Sequence, residues 1–194
     1  MRGSTKWLGS AILCVMVFGL AGSAAAQDTP RAEVSAGYQF FTGKGENEDE
    51  DWENFPAGWY ADVAGNLTNT VGIVGQVSGN YKTIDESDGD IDFRIHTFMG
   101  GVRASSPGRV RGFGQFLIGG ANVKASAGEL SASETDLAIQ LGGGVNVMSA
   151  NNVGLRVGVD YLRLFAKDEG ELSEGEDVNG FRFVVGVVFG LGAR

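Results

Sequence analysis

The strongest constraint on this chain is a hydrophobic period of two that begins at Arg31 and recurs in segments of about a dozen residues. A strand alternates its sides with every residue, so such segments build a sheet with two chemically different faces. Eight segments are expected, at 31–42, 55–67, 70–82, 90–105, 109–124, 134–148, 153–167 and 178–192. In the third, Val71, Ile73, Val77 and Tyr81 share one face and Gln76, Ser78, Asn80 and Lys82 the other. In the fourth, Ile91, Phe93, Ile95, Thr97 and Met99 oppose Asp92, Arg94, His96 and Phe98. The sixth sets Leu137, Ile139, Leu141, Val145 and Val147 against Asp136, Gln140 and Asn146, and in the eighth Phe181, Phe183, Val185, Val187 and Phe189 oppose Arg182. The fifth does not sort, because Arg111 and Gln115 share their parity with Phe113 and Leu117, and its facing stays open.

The connections carry a second regularity. Asn66–Thr70, Ser105–Gly108 and Ser149–Asn152 are short and rich in turn residues, whereas 43–54, 83–89, 125–133 and 168–177 are longer. Short and long alternate, so in an antiparallel sheet all the long ones emerge on one side. Charge follows the same division. The four long connections with their bordering residues (43–54, 82–90, 124–135 and 167–178) carry −5, −3, −1 and −5, or −14 together, while the whole chain carries −9. Such acidity argues against nucleic acid as a partner. Tyr38, Phe40, Phe55, Trp59, Tyr81, Phe93, Tyr161, Phe165 and Phe181 lie near the long-loop ends of their segments, as an interfacial aromatic girdle would.

The N-terminus places the chain outside the cytoplasm. Arg2 and Lys6 precede an apolar run from Trp7 to Ala21, and Ala24-Ala25-Ala26 stands before Gln27. That order describes a secretory signal peptide over residues 1–26, cleaved after Ala26 to leave one domain over 27–194. The sole cysteine, Cys14, lies in this leader and follows Leu13 rather than the small residue that lipoprotein acylation wants. The remaining chain has no thiol chemistry. Without Arg2 and Lys6, 13 basic residues face 24 acidic ones, so the exported chain carries −11 and everything outside the long loops about +3. No later apolar run approaches the roughly 20 residues of a membrane-spanning helix.

An exported sheet with one apolar face and sorted loops points to a membrane barrel. In hydrocarbon every backbone N–H and C=O must pair within the protein, so strands cross only as a closed sheet. Eight strands close around an interior that side chains fill, whereas open porins need about sixteen. The expected fold is all-β: an eight-stranded antiparallel up-and-down transmembrane β-barrel in the outer membrane of a Gram-negative bacterium. With the apolar face toward lipid, a polar lumen network is expected from Glu33, Gln39, Asp62, Asn66, Gln76, Asn80, Asp92, Arg94, His96, Gln140, Arg156, Asp160 and Arg182, joined by Arg111 and Gln115. Both signs of charge are present, as a packed lumen requires. A soluble barrel would reverse the faces.

From Val34-Ser35-Ala36-Gly37-Tyr38 in the opening strand to Phe181-Arg182-Phe183-Val184-Val185-Gly186-Val187-Val188-Phe189 in the closing one, the pattern resembles the small eight-stranded outer-membrane barrels. This is the family that includes the OmpA transmembrane domain and OmpX-like proteins. The likeness spans nearly all of residues 27–194 and rests on pattern rather than on a sharp motif. It implies a monomer without cofactors, inserted by the outer-membrane assembly machinery among lipid and lipopolysaccharide, with a structural or surface-interaction role. A narrow transport or sensing barrel is the alternative. Members generally end on an aromatic residue, but here Gly190-Leu191-Gly192-Ala193-Arg194 follows Phe189.

Some small outer-membrane barrels modify lipid A with a histidine, a serine and a carboxylate. His96 is the only histidine, and where a serine would stand two residues on, the chain has Phe98. No catalytic site is expected. Asp85, Glu86, Asp88 and Asp90 offer oxygen ligands around Gly89, but without the EF-hand spacing or its helices they read first as a solvated loop and second as a calcium site. The runs Glu48–Asp51 and Glu169–Asp177 would repel lipopolysaccharide phosphates unless divalent cations bridge the two.

Overall fold

The computed structural model describes residues 29–44, 52–84, 91–127, 130–149, 152–165 and 177–192. They form β1 (Ala32–Lys44), β2 (Glu53–Phe55), β3 (Ala57–Asn66), β4 (Val71–Ile84), β5 (Ile91–Ser105), β6 (Val110–Ala127), β7 (Leu130–Met148), β8 (Val153–Phe165) and β9 (Val178–Leu191). All neighbours pair antiparallel in chain order, and β9 returns to β1 from Ala32↔Leu191 to Lys44↔Asn179. The sheet closes.

Nine strands make an eight-stranded barrel because β2 continues β3. Tyr38 of β1 pairs with Trp59 and Phe41 pairs with Phe55, so three steps along β1 answer four on its neighbour. The extra residue falls at Pro56, which has no N–H to give the ladder. Going round the barrel, the ladder that leaves β1 at Glu33 passes Ala64, Val74, Gly101, Leu117, Gln140, Leu162 and Gly180 and returns to β1 at Gly43. That stagger of ten residues tilts the strands, typically by about 35–45° in closed barrels.

The end with short turns is built from local chemistry. The Thr68 hydroxyl accepts from the Thr70 and Val71 amides at 3.2 and 2.9 Å, and the Ser106 hydroxyl accepts from the Gly112 amide at 3.0 Å. Gly108 at φ 111° and Asn152 at φ 59° supply the left-handed residues that two of the turns need. At the opposite end one expected loop is absent. Instead of a connection over 125–133, β6 and β7 pair as far as Ala127↔Leu130, leaving residues 128 and 129 between them. Small residues such as Ala125, Ser126, Ser131 and Ala132 give no hydrophobic alternation, yet backbone pairing carries the hairpin on.

Parity decides which side chains fill the interior. In β9, Arg182, Val184 and Val188 are buried while Phe181, Phe183, Val185 and Phe189 are exposed. In β6, the strand whose facing the sequence left open, Arg111, Phe113, Gln115 and Leu117 all point inward, and Phe116 and Ile118 point outward. In β5 the expected facing is reversed. Ile95, Thr97, Met99 and Arg103 are buried, whereas Phe98 and Val102 are exposed, so Asp92, Arg94 and His96 lie on the outer face and not in the lumen.

Candidate functional site

The barrel is inside-out relative to a soluble protein. Leu141 and Leu155 are 62% and 63% exposed, while Arg156 and Arg182 are 1% and 0% exposed. Apolar residues sheathe every strand's outer face over the lengths that cross a membrane, roughly 9–11 residues of tilted strand. β6 and β7, at 18 and 19 residues, run well beyond that length on the loop side.

Inside, the end with short turns holds one connected polar network. Asp62 accepts from both terminal nitrogens of Arg103 at 3.2 and 2.9 Å and from Arg156 Nη1 at 2.5 Å. Arg156 also donates to Ser35 at 2.7 Å and to Asn146 at 2.9 Å, and lies 3.9 Å from Glu33, which binds Arg111 at 2.5 Å. In the other direction Arg103 donates to Gln115 at 2.7 Å, Gln115 donates to Asp160 at 3.1 Å, and Asp160 binds Arg182 at 3.1 Å. Arg182 then reaches Gln76 at 2.7 Å and Ser78 at 3.1 Å, and Ser78 shares a 2.6 Å bond with Thr97. The network takes a residue from every one of the eight barrel strands.

Two packing features hold it. The Phe113 ring lies under the guanidinium groups of both Arg103 and Arg156, at 5.2 and 4.7 Å, which places a π-face against two like charges that Asp62 also joins. Phe113 is thus an inward aromatic with a polar partner. Gly142 faces Asp160 so closely that a β-carbon would meet the carboxylate, so only glycine leaves room for it. Gln140 is buried in the lumen without joining this chain of bonds.

Toward the loops the interior changes character. Phe41, Ile95, Met99, Leu117, Ala121, Ala138, Leu162 and Leu164 belong to an apolar cluster that reaches down to Ala64 and Val74, with Phe55, Val123 and Val178 packed on it, while Gln39, Asn80 and Asp136 are polar residues buried on the loop side. The Phe41 and Phe55 rings meet at a tilt, with centroids 5.8 Å apart, and Lys82 pairs with Glu53 over the Phe55 ring. On the outside of the same levels stand Arg94, His96, Asn122, Lys124, Thr135 and Arg163. The faces therefore exchange chemistry part-way along the strand. In β8, Arg156 and Asp160 point in below while Leu162 and Leu164 point in above.

That exchange explains the corrected residues. Glu33, Asp62, Gln76, Arg111, Gln140, Arg156, Asp160 and Arg182 are buried in the lumen. Asp92, Arg94 and His96 belong to the loop-side end of β5, beyond the apolar sheath, where an outward charge meets water or headgroups. Arg103, absent from the sequence-based set, takes the lumen position instead. A signal for it exists: reading Arg94 as inward puts Arg103 on the lipid face near a short turn, where an outward arginine costs up to about 1 kcal/mol and gains no carboxylate partner. Asp85, Glu86, Asp88 and Asp90 lie outside the described residues. Among the described residues no group of three His, Cys, Asp or Glu is placed to hold a metal ion.

Comparison with known proteins fits this geometry. The family model for the outer membrane protein beta-barrel domain matches residues 10–189. The chain belongs to this family. It is an integral β-barrel of the outer membrane. Among solved structures, Neisserial surface protein A (NspA) aligns over 85% of this chain and 100% of its own at 11% identity and TM-score 0.67. Ail, the attachment invasion locus protein of Yersinia pestis, aligns over 84% of this chain and 100% of its own at 18% identity and TM-score 0.57. Ail has also been solved in complex with the heparin analogue sucrose octasulfate. At these identities the likeness concerns the fold. A comparison with curated proteins finds no match.

Proposed function

We propose that this barrel is a closed, monomeric surface protein that works through its outer rim and acidic loops, with no solute path through its centre. The carrying observation is the filled lumen. Arg156 and Arg182 are cross-bonded below, Phe41 and Leu117 belong to the apolar plug above, and Tyr60, Gln39 and Gln140 fill the lumen with them, all seven at 2% exposure or less. A passage would have to break buried ion pairs, each costing several kcal/mol. Folded protein in planar bilayers should be electrically silent, and a reproducible unitary conductance would replace this reading with a transport barrel.

The role is non-catalytic on the same grounds. His96 faces outward, its Nε2 bonded to the Tyr81 hydroxyl at 3.2 Å, with Phe98 where a nucleophile would be needed. The leader over 1–26 delivers the chain to export, and the assembly machinery inserts it. Loops totalling −14 suit a basic partner or bridging divalent cations, and do not complement a polyanion such as the heparin analogue bound by Ail. Titration calorimetry of the folded barrel with calcium or magnesium should show weak binding. Flat heats would remove cations from the reading.

A further inference from the structure

The lumen floor, at the end with short turns, carries hydrogen-bond donors that its own network does not use. Arg111, Asn146 and Arg156 are successive rungs of one ladder across β6, β7 and β8, and all three point inward. Arg156 Nε donates to the Asn146 amide oxygen at 2.9 Å, which fixes the orientation of that amide, and Arg111 Nη1 donates to Glu33. Arg111 Nε and Nη2, Arg156 Nη2 and Asn146 Nδ2 are left buried without a partner, on residues only 1–3% exposed. The second Glu33 oxygen stands 3.9 Å from Arg156 Nη2, beyond hydrogen-bond reach. Everything left over on the floor is an N–H. Higher in the lumen the unpartnered atoms come in both kinds, the oxygens of Gln39 and Gln140 as well as the nitrogens of Asn80 and Gln140, a mixture that water can serve.

Charge points the same way. The connected network sets Arg103, Arg111, Arg156 and Arg182 against Glu33, Asp62 and Asp160, four charges against three, or +1. The other buried charge among the described residues, Asp136, is ten residues from Asn146 on β7, about 33 Å along the strand and beyond Ala138 and Gln140. An uncompensated charge in such an interior is strongly destabilising. A water molecule would bring two more protons to a place that holds only donors. A monovalent anion brings the missing charge and accepts from all four N–H groups through charge-assisted bonds. Side chains fill the rest of the lumen, so the anion is small, and a spherical ion imposes no bond directions. We propose that Arg111, Arg156 and Asn146 hold a chloride ion in the lumen floor, taken in as the sheet closes. This goes beyond the reading of the lumen as closed, because it makes the floor a binding site.

The test is reversible urea unfolding of the full-length barrel in detergent micelles at fixed ionic strength, with sodium chloride replacing sodium gluconate, whose anion is too large for the floor. Against a dissociation constant of about 10 mM, ~100 mM chloride should raise the folding constant roughly tenfold. R111Q removes the extra charge and should cut that effect to under about twofold. R109Q, which changes an exposed arginine at the neighbouring turn, should keep the wild-type effect. An effect of equal size in R111Q and wild type would be a general salt effect and overturns the site, as does no effect in wild type. Heat-modifiable gel migration shows whether R111Q folds. If it does not, wild-type crystals grown in sodium bromide decide, and should show one anomalous peak in the lumen against Arg111, Asn146 and Arg156. Peaks confined to the outer surface mean an adventitious ion only and overturn the proposal. A silent bilayer without a chloride effect leaves the closed lumen standing, and a unitary conductance with the bromide peak in place removes the closed lumen alone, so the two readings fail separately.

Discussion

The two ends of this barrel solve opposite problems with the same strands. Below, where lipid surrounds the wall, Val102, Leu155 and Val157 point out and Arg103, Arg156 and Asp160 point in. Above, where the surroundings are wet, Arg94, Lys124 and Arg163 point out and Ile95, Ala121, Leu162 and Leu164 point in. Within each strand from β3 to β9 parity holds, because the pleat fixes it, and it shifts only at the Pro56 bulge, where Phe55 points in beside Phe41. Only the chemistry assigned to each parity changes. The lower part is a membrane barrel held by directional ion pairs, since lipid gives no hydrophobic drive to close it. The upper part is built like a soluble barrel, with an apolar core that also keeps water from reaching the buried charges from the loop side.

The sharpest way to break the lower half is Asp62→Ala, which leaves Arg103 and Arg156 buried without their shared carboxylate. Reversible urea unfolding in lipid or detergent should show a loss of about 3–5 kcal/mol. Leu162→Ala tests the upper half, where a cavity in the plug should cost about 3 kcal/mol by the same measurement and leave the ion-pair network intact. Outer-face substitutions sharpen the boundary between the two. Val102→Arg should cost about 2 kcal/mol in lipid, while Asn122→Arg, outward but above the sheath, should stay within about 0.5 kcal/mol. The smallest effect is expected for Asp92→Asn, which removes a half-exposed ion pair with Arg94 and should shift stability by well under 1 kcal/mol. An Asn122→Arg penalty equal to that of Val102→Arg would mean the hydrocarbon reaches higher than the sheath suggests.

Legibility in the sequence followed the same boundary. β9 reads directly because its alternation, from Phe181 to Phe189 about Arg182, keeps one chemistry throughout. β5 misleads because its charged residues Asp92, Arg94 and His96 lie on the wet side of the boundary, and their parity was extended down a strand whose membrane part turns on Arg103. β6 resisted assignment for a related reason: Phe113 is an apolar residue that belongs inside, as a platform for two guanidinium groups. The closed eight-stranded architecture was legible from period and connection alone. The hairpin extension of β6 and β7 was not, because outside the membrane neither face of a sheet must be apolar and the alternation that marks a strand disappears. Within the network, Ser35, Ser78 and Asn146 carried no signal beyond parity, since a small polar residue fits either face.

The most direct measurement of the exchange is a nitroxide scan of β5. Single cysteines would be placed from position 92 to 104 in the folded barrel in lipid vesicles, and the label's collision with oxygen compared with that of a water-soluble nickel complex. Labels at 98, 100 and 102 should favour oxygen, labels at 92, 94 and 96 should favour the nickel complex, and 95, 97, 99 and 103 should be immobile and shielded from both. Shielded labels at 94 and 96 with oxygen-accessible labels at 95, 97 and 99 would contradict the exchange and restore a charged lumen along the whole of β5.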